Sequence, residues 1–161
     1  MSKETNKIVV KGDILGRIEK SIEIKASPEK VWEMLAFDRR PEWMEGIKSV
    51  EYTSEVRKPK DKYRVGASAH MTEKHGECDL EITESLENEK ITYSVRGYRG
   101  SRNTIGIYTL KSTEAGTEMT FVTDYEVTNL IFKILDKLFV QRALEKDLER
   151  WLQKLKNILE K

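Results

Sequence analysis

A chain of 161 residues fits one domain with room for a single sizeable core. Its 29 Lys and Arg offset 28 Asp and Glu to a formal net charge of +1, which gives no bulk attraction to nucleic acid or to an anionic membrane, so partners are sought in shape and local chemistry. The one cysteine, Cys78, excludes an intramolecular disulfide framework, leaves no thiol set for structural zinc, and agrees with a reducing compartment.

Residues 1–13, MSKETNKIVVKGD, read as a flexible N-terminal arm closed by the turn signal of Gly12 and Asp13. The arm lacks the apolar core of a secretory signal, and no apolar run approaches the ~20 residues of a membrane span, so a cytoplasmic location is expected. From Ile14 to Ile24 the isoleucines at 18, 22 and 24 share one parity and Glu19, Glu23 and Lys25 the other, the pattern of a half-buried strand. Ser27 then offers an N-cap oxygen, Pro28 suits the first helical position, and Glu29 complements the helix dipole. Val31, Trp32 and Leu35 form the apolar stripe of this helix, and Pro41 opens a second short turn that carries Trp43 and Met44 and ends at Gly46.

After Gly46 the apolar period switches to two. IKSVEYTSE, VGASAHMTEKH, ECDLEITESL, KITYSVRGY, NTIGIYTLKS and TEMTFVTDYEV are six further strand candidates, and their short connections argue for antiparallel hairpins. The last element is a helix over about 129–159. Leu144, Leu148, Trp151, Leu155 and Ile158 recur at spacings of four and three, while the first half, LIFKILDKLFV, is apolar on nearly every side: buried all round, kinked, or lining something other than protein.

This order of elements resembles the helix-grip fold of the START-like superfamily, also called SRPBCC or Bet v 1-like. The opening SIEIKASPEKVWEMLAFDRRPEWMEGIKSVE, VGA at 65–67, EITE at 81–84, GTEMTF at 116–121 and ALEKDLERWLQKLKNILE at 143–160 are similar to its polyketide cyclase/dehydrase branch. The resemblance covers roughly residues 14–160. It implies an α+β domain over 14–161, in which a seven-stranded curved antiparallel sheet (β-α-α-β6-α) wraps around the long C-terminal helix and encloses a cavity bordered by the two small helices. Relatives bind lipids, sterols, quinones, polyketides or hormones, and some catalyse cyclisation or dehydration, so a hydrophobic small molecule is the expected partner, with no cofactor.

Parity assigns the cavity wall. Leu80 and Ile82 share a face with Cys78, Tyr93 and Val95 with Ile91, and Phe121, Thr123 and Tyr125 with Met119. In the third strand Ala69 and Met71 face inward with Ala67. The sixth strand is ambiguous, because Ile105 and Ile107 compete with Tyr108 and Leu110. Ala67, Ala69 and Gly106 leave space that a close-packed core would fill. Tyr93, Tyr108, Thr123 and Tyr125 supply the few polar groups that would orient an apolar ligand, with Trp43 at the doorway and Ile134 and Leu138 on the helical side.

Other constellations read as structural. His70 and His75 fall on opposite strand faces, so no metal site is expected, and Asp79 and Glu81 fall on the convex, wet face, where no carboxyl is shielded enough for acid/base work. The basic run Arg57, Lys58, Lys60, Lys62 and Arg64 reads as a solvated hairpin loop, and the arginines at 96, 99 and 102 have only Tyr98 interleaved, which argues against nucleic-acid binding. The sequence therefore favours a carrier or sensor for a hydrophobic molecule. A cyclase or dehydratase relying on tyrosines, and a protein-interaction module docking through LIFKILDKLFV, are the alternatives, and a monomer is favoured over an assembly.

Overall fold

The computed structural model describes residues 14–97, 103–127, 134–135 and 139–161; the arm assigned to 1–13 lies outside them. The strands are β1 (Ile14–Ile24), β2 (Ile47–Tyr52), β3 (Ser68–Glu73), β4 (Gly76–Leu86), β5 (Lys90–Arg96), β6 (Thr104–Ser112) and β7 (Thr117–Val127). They form one antiparallel sheet in the order β1-β7-β6-β5-β4-β3-β2. The helices are α1 (Pro28–Met34), α2 (Arg40–Trp43) and the long α3 (Gln141–Leu159), with 3₁₀ turns at Phe37–Arg39 and Pro59–Lys62. This is the helix-grip arrangement, a curved sheet holding a C-terminal helix.

Helix α1 begins where the sequence places its signals. Ser27 has extended backbone angles and its side chain accepts from the Lys30 N–H, which satisfies one of the otherwise unpaired N–H groups of the first turn. The chain then turns again through Phe37–Arg39 into α2. Trp43 is fully buried, and its Nε1 donates to the Met34 carbonyl at 2.9 Å, so the second indole ties α2 to the end of α1.

Helix α3 covers the edge strand β1. Lys20 bridges to Glu149 at 2.8 Å, Lys156 Nζ donates to the Glu23 carbonyl at 2.7 Å, and the Lys25 N–H donates to Glu160 at 2.8 Å. Its buried stripe is Leu148, Leu152 and Leu155, with Leu144, Trp151 and Ile158 partly buried beside it. Leu152, absent from the predicted stripe, joins because a helix lying in a curved sheet buries a face wider than one line of side chains.

Strand register settles β6. Thr104, Gly106, Tyr108 and Leu110 are buried and Ile105 is exposed, so Tyr108 and Leu110 win the inward parity. A bulge in β4 between Ile82 and Glu84 resets the alternation, which leaves Leu86 half exposed.

Gly106 does not leave a void. It pairs with Tyr93 across the strands, and a Cβ at Gly106 would lie 2.0 Å from Tyr93 Cζ. The ring lies flat over the glycine and takes the space expected to be empty. Gly16 and Tyr125 repeat the arrangement across β1 and β7, with a Cβ at 2.2 Å from Tyr125 Cζ. Gly106→Ala is therefore expected to displace the Tyr93 ring and lower stability by about 1–3 kcal/mol in urea denaturation, the usual cost of overpacking. Gly76→Ala, where an added Cβ meets nothing within 4 Å, should stay within about 0.5 kcal/mol of wild type.

Candidate functional site

The inner face of the sheet is built by cross-strand rows. Ala69 pairs with Leu80, Leu80 with Val95, Val95 with Thr104, Thr104 with Tyr125 and Tyr125 with Gly16. The neighbouring row runs Ile82, Tyr93, Gly106, Thr123, Ile18. Of the residues assigned to the cavity wall, Trp43, Ala69, Met71, Leu80, Ile82, Tyr93, Val95, Tyr108, Phe121 and Tyr125 are all buried. Thr123 is half-buried, Ile134 is 61% exposed, and Leu138 lies outside the described residues.

Aromatic contacts bring much of this set together. The ring centroids of Tyr108 lie 4.7 Å from Phe121, 5.3 Å from Tyr93 and 6.1 Å from Trp43. Phe37 meets Tyr93 edge-on at 5.8 Å, a favoured geometry for aromatic pairs. The Tyr93 hydroxyl donates to the Tyr108 hydroxyl at 3.4 Å. Exposure along this face is nil at Tyr108, 8–9% in the row Val95, Thr104 and Tyr125, the row nearest the end of β7, and higher at the half-buried Thr123. Trp32 is also buried, stacked on Tyr63 at 5.3 Å.

One residue of the site was not singled out from the sequence. Arg40 is only 3% exposed, and its guanidinium lies 4.3 Å from the Tyr93 ring centre, 4.9 Å from Phe37 and 5.8 Å from Tyr108. Among the described residues neither Nε nor Nη2 has a hydrogen-bond partner. The signal was the spacing: in consecutive helical turns Phe37, Arg40 and Met44 share one face, and both flanking side chains are core. Pro41 suits the first turn of α2, where its missing N–H has no helical partner.

The groups around Arg40 are neutral. Burial pushes the Tyr108 phenol well above its ordinary range, and the Arg40 charge offsets this only in part. Burial likewise raises the Cys78 thiol to about 11, which makes it an inert buried thiol rather than a nucleophile. Asp38, two residues before Arg40, pairs instead with Lys62 at 2.5 Å.

The outer constellations are locally paired. Asp61 Oδ2 accepts from the Arg57 and Lys58 N–H groups at 2.9 Å each, the Arg57 side chain meets Glu55 at 2.7 Å, and Lys62 is held by Asp38, so the basic loop is internally compensated. Arg96 pairs with Glu81 at 2.8 Å; Tyr98 and the arginines at 99 and 102 lie outside the described residues. Among the described residues no group of three His, Cys, Asp or Glu is placed to hold a metal ion, and no helix is long and apolar enough to cross a membrane.

A family profile described as polyketide cyclase / dehydrase and lipid transport matches residues 16–160. The chain belongs to that family. One relative, an uncharacterised 17.2 kDa protein of Streptomyces lincolnensis, is 25% identical over 144 residues, covering 85% of this chain and 87% of the relative. Among solved structures, a START superfamily protein from Mycobacterium smegmatis superposes with a TM-score of 0.72 at 15% identity, covering 92% of this chain and 98% of that one. The di-domain ARO/CYC StfQ from the steffimycin biosynthetic pathway gives 0.72 at 14% identity, with 91% of this chain matching 51% of StfQ. At these identities the two structures speak for the fold.

His70 lies outside the site but is testable. Its Nδ1 is 2.9 Å from Asp79 Oδ1 and its Nε2 3.5 Å from Glu77. The hydrogen bond to Asp79 is the main cause that raises its pKa above the ordinary 6.5. The protonated ring therefore favours the fold fully below about 6.5, and that contribution fades as pH rises through the higher folded value. An NMR titration should place the His70 midpoint above 6.5, and Asp79→Asn should bring it down; equal midpoints in the two proteins would remove the assigned cause.

Proposed function

We propose that this protein binds a hydrophobic small molecule, as a carrier or sensor, on the inner face of the sheet at the row Val95, Thr104 and Tyr125. The observation that carries this reading is the apolar surface left uncovered on the inner face and after β7. The row is 8–9% exposed and adjoins the half-buried Thr123 on an otherwise covered stretch of the face, and later in the chain Ile134, Leu135, Phe139 and Val140 are 61%, 42%, 67% and 44% exposed. Large apolar side chains in water are worth covering at about 25 cal/mol per Å². A ligand spanning these side chains and the inner face would be held by burial, with the phenols setting its orientation.

A cyclase or dehydratase would need a group on this face that accepts a proton at neutral pH. The Tyr108 phenol, held well above its ordinary range, does not fill that role. The specific competitor is a docking surface, because the same four exposed side chains would suit a protein partner.

The probe N-phenyl-1-naphthylamine, which is neutral and fluoresces in apolar sites, separates these readings. Val95→Asp is expected to weaken its uptake at least about tenfold, a carboxylate being expensive in an apolar site, with the circular dichroism spectrum unchanged. Phe139→Asp should also weaken uptake while leaving the mass in solution unaltered. Undiminished uptake in both folded variants would overturn the binding site, and an oligomer that Phe139→Asp dissociates would favour docking.

A further inference from the structure

We infer that Arg40 is the receptor for a carboxylate on the bound molecule, so that the ligand class is an apolar, preferably aromatic, acid. This rests on the proposed ligand-binding reading and names the chemistry of the same site. Arg40 is 3% exposed, and the two buried, unpartnered nitrogens of its guanidinium are Nε and Nη2. Those two share one edge of the planar group. Their N–H bonds run parallel, and the acceptor that matches such an edge is a carboxylate with its two oxygens side by side.

The surroundings do not supply that acceptor. Among the described residues no carboxylate lies within ion-pairing distance of Arg40, and Asp38 is engaged with Lys62. What the chain does supply is three aromatic rings, Tyr93, Phe37 and Tyr108, with the Tyr93 hydroxyl adding a weak hydrogen-bonding contribution to the charge. These ring contacts are electrostatic and give Nε and Nη2 no hydrogen bond. A buried guanidinium among these rings, with Nε and Nη2 unpartnered, is therefore arranged for an incoming oxyanion. The phenol of Tyr108 and the thiol of Cys78, both pushed upward by burial, stay protonated and do not compete for the charge. The aromatic walls would stack on a flat hydrophobic body attached to that carboxylate.

The test compares 2-naphthoate with 2-naphthalenemethanol, which share a ring system and differ in the carboxylate, by isothermal titration calorimetry on the full chain at neutral pH. Wild type is expected to prefer the acid at least about tenfold, the scale of a charge-assisted bidentate pair. Arg40→Met keeps the stem and removes the donor edge, and should abolish that preference while melting no lower than wild type, since an unpaired buried charge is gone. Arg40→Lys keeps the charge without the fork and should retain only part of the preference. If wild type binds both compounds equally, the carboxylate assignment falls and the apolar site stands. A preference that survives in Arg40→Met removes Arg40 from the role. Uptake of neither compound by wild type would overturn the apolar site and this assignment with it. Should Arg40→Met fail to fold, the wild-type ratio and Arg40→Lys still decide.

Discussion

Eleven residues of β1 pair with eleven of β7, from Ile14 opposite Val127 to Ile24 opposite Thr117, without a bulge. That ladder joins the first strand to the last and fixes which residues of both look inward. Because side chains alternate strictly along a strand, a slip of one position would turn Ile18, Ile22 and Ile24 outward while Met119, Phe121 and Tyr125 stayed inward. It also leaves β1 at the sheet's edge, where exposed backbone would invite pairing with another chain. Helix α3 answers this by lying along β1, where Lys156 donates to the Glu23 carbonyl and Glu160 accepts the Lys25 N–H.

The same register creates the aromatic floor. Tyr93 over Gly106 and Tyr125 over Gly16 are cross-strand pairs in which the missing side chain lets the ring lie against the backbone. A bulkier residue at either glycine would stand the ring up into the interior. Flat rings present their faces, and a guanidinium finds its electrostatic complement there. Magnitudes show why this does not complete Arg40's environment: cation–π contacts contribute about 0.5–2 kcal/mol each, whereas withdrawing an ion from water costs several kcal/mol even after relaxation. Three ring contacts soften the cost without supplying hydrogen bonds to Nε and Nη2.

Much of the architecture was legible because it rests on period. The bounds of β1 and β7 read directly from alternation, and Ser27-Pro28 located α1. The β6 face was not legible, since Ile105-Gly106-Ile107-Tyr108 carries apolar residues at both parities; only pairing with Ile91 and Phe121 selects Tyr108. The glycine at 106 read as space because a sequence shows a missing side chain but not the ring from a neighbouring strand that fills it. Arg40 escaped because pattern reading places a charged residue in water by default, and the burial of one is decided by what packs around it. The wall residues Tyr93, Val95, Phe121 and Tyr125 came from parity alone and are buried together, while Ile134, assigned to the same wall, faces solvent: an all-round apolar helix segment offers no parity from which to choose a side.

Stability by itself gives no reason to keep an arginine at position 40. An apolar side chain of similar length would fill the volume between Phe37, Tyr93 and Tyr108 without stranding a charge, and such replacements are commonly neutral or stabilising. Nor is the fold short of a carboxylate to pair with it: Asp38 belongs to the same short turn, but residues two apart on a helical turn point away from each other, and Asp38 is drawn to Lys62 on the loop after β2. The sequence thus places one acid and two arginines within three residues, sends the acid to a neighbouring loop, gives Arg39 to Glu42 at the surface at 2.6 Å, and turns Arg40 alone into the aromatic interior. A cation held there with its donor edge open makes physical sense when the group that completes it arrives from outside the chain.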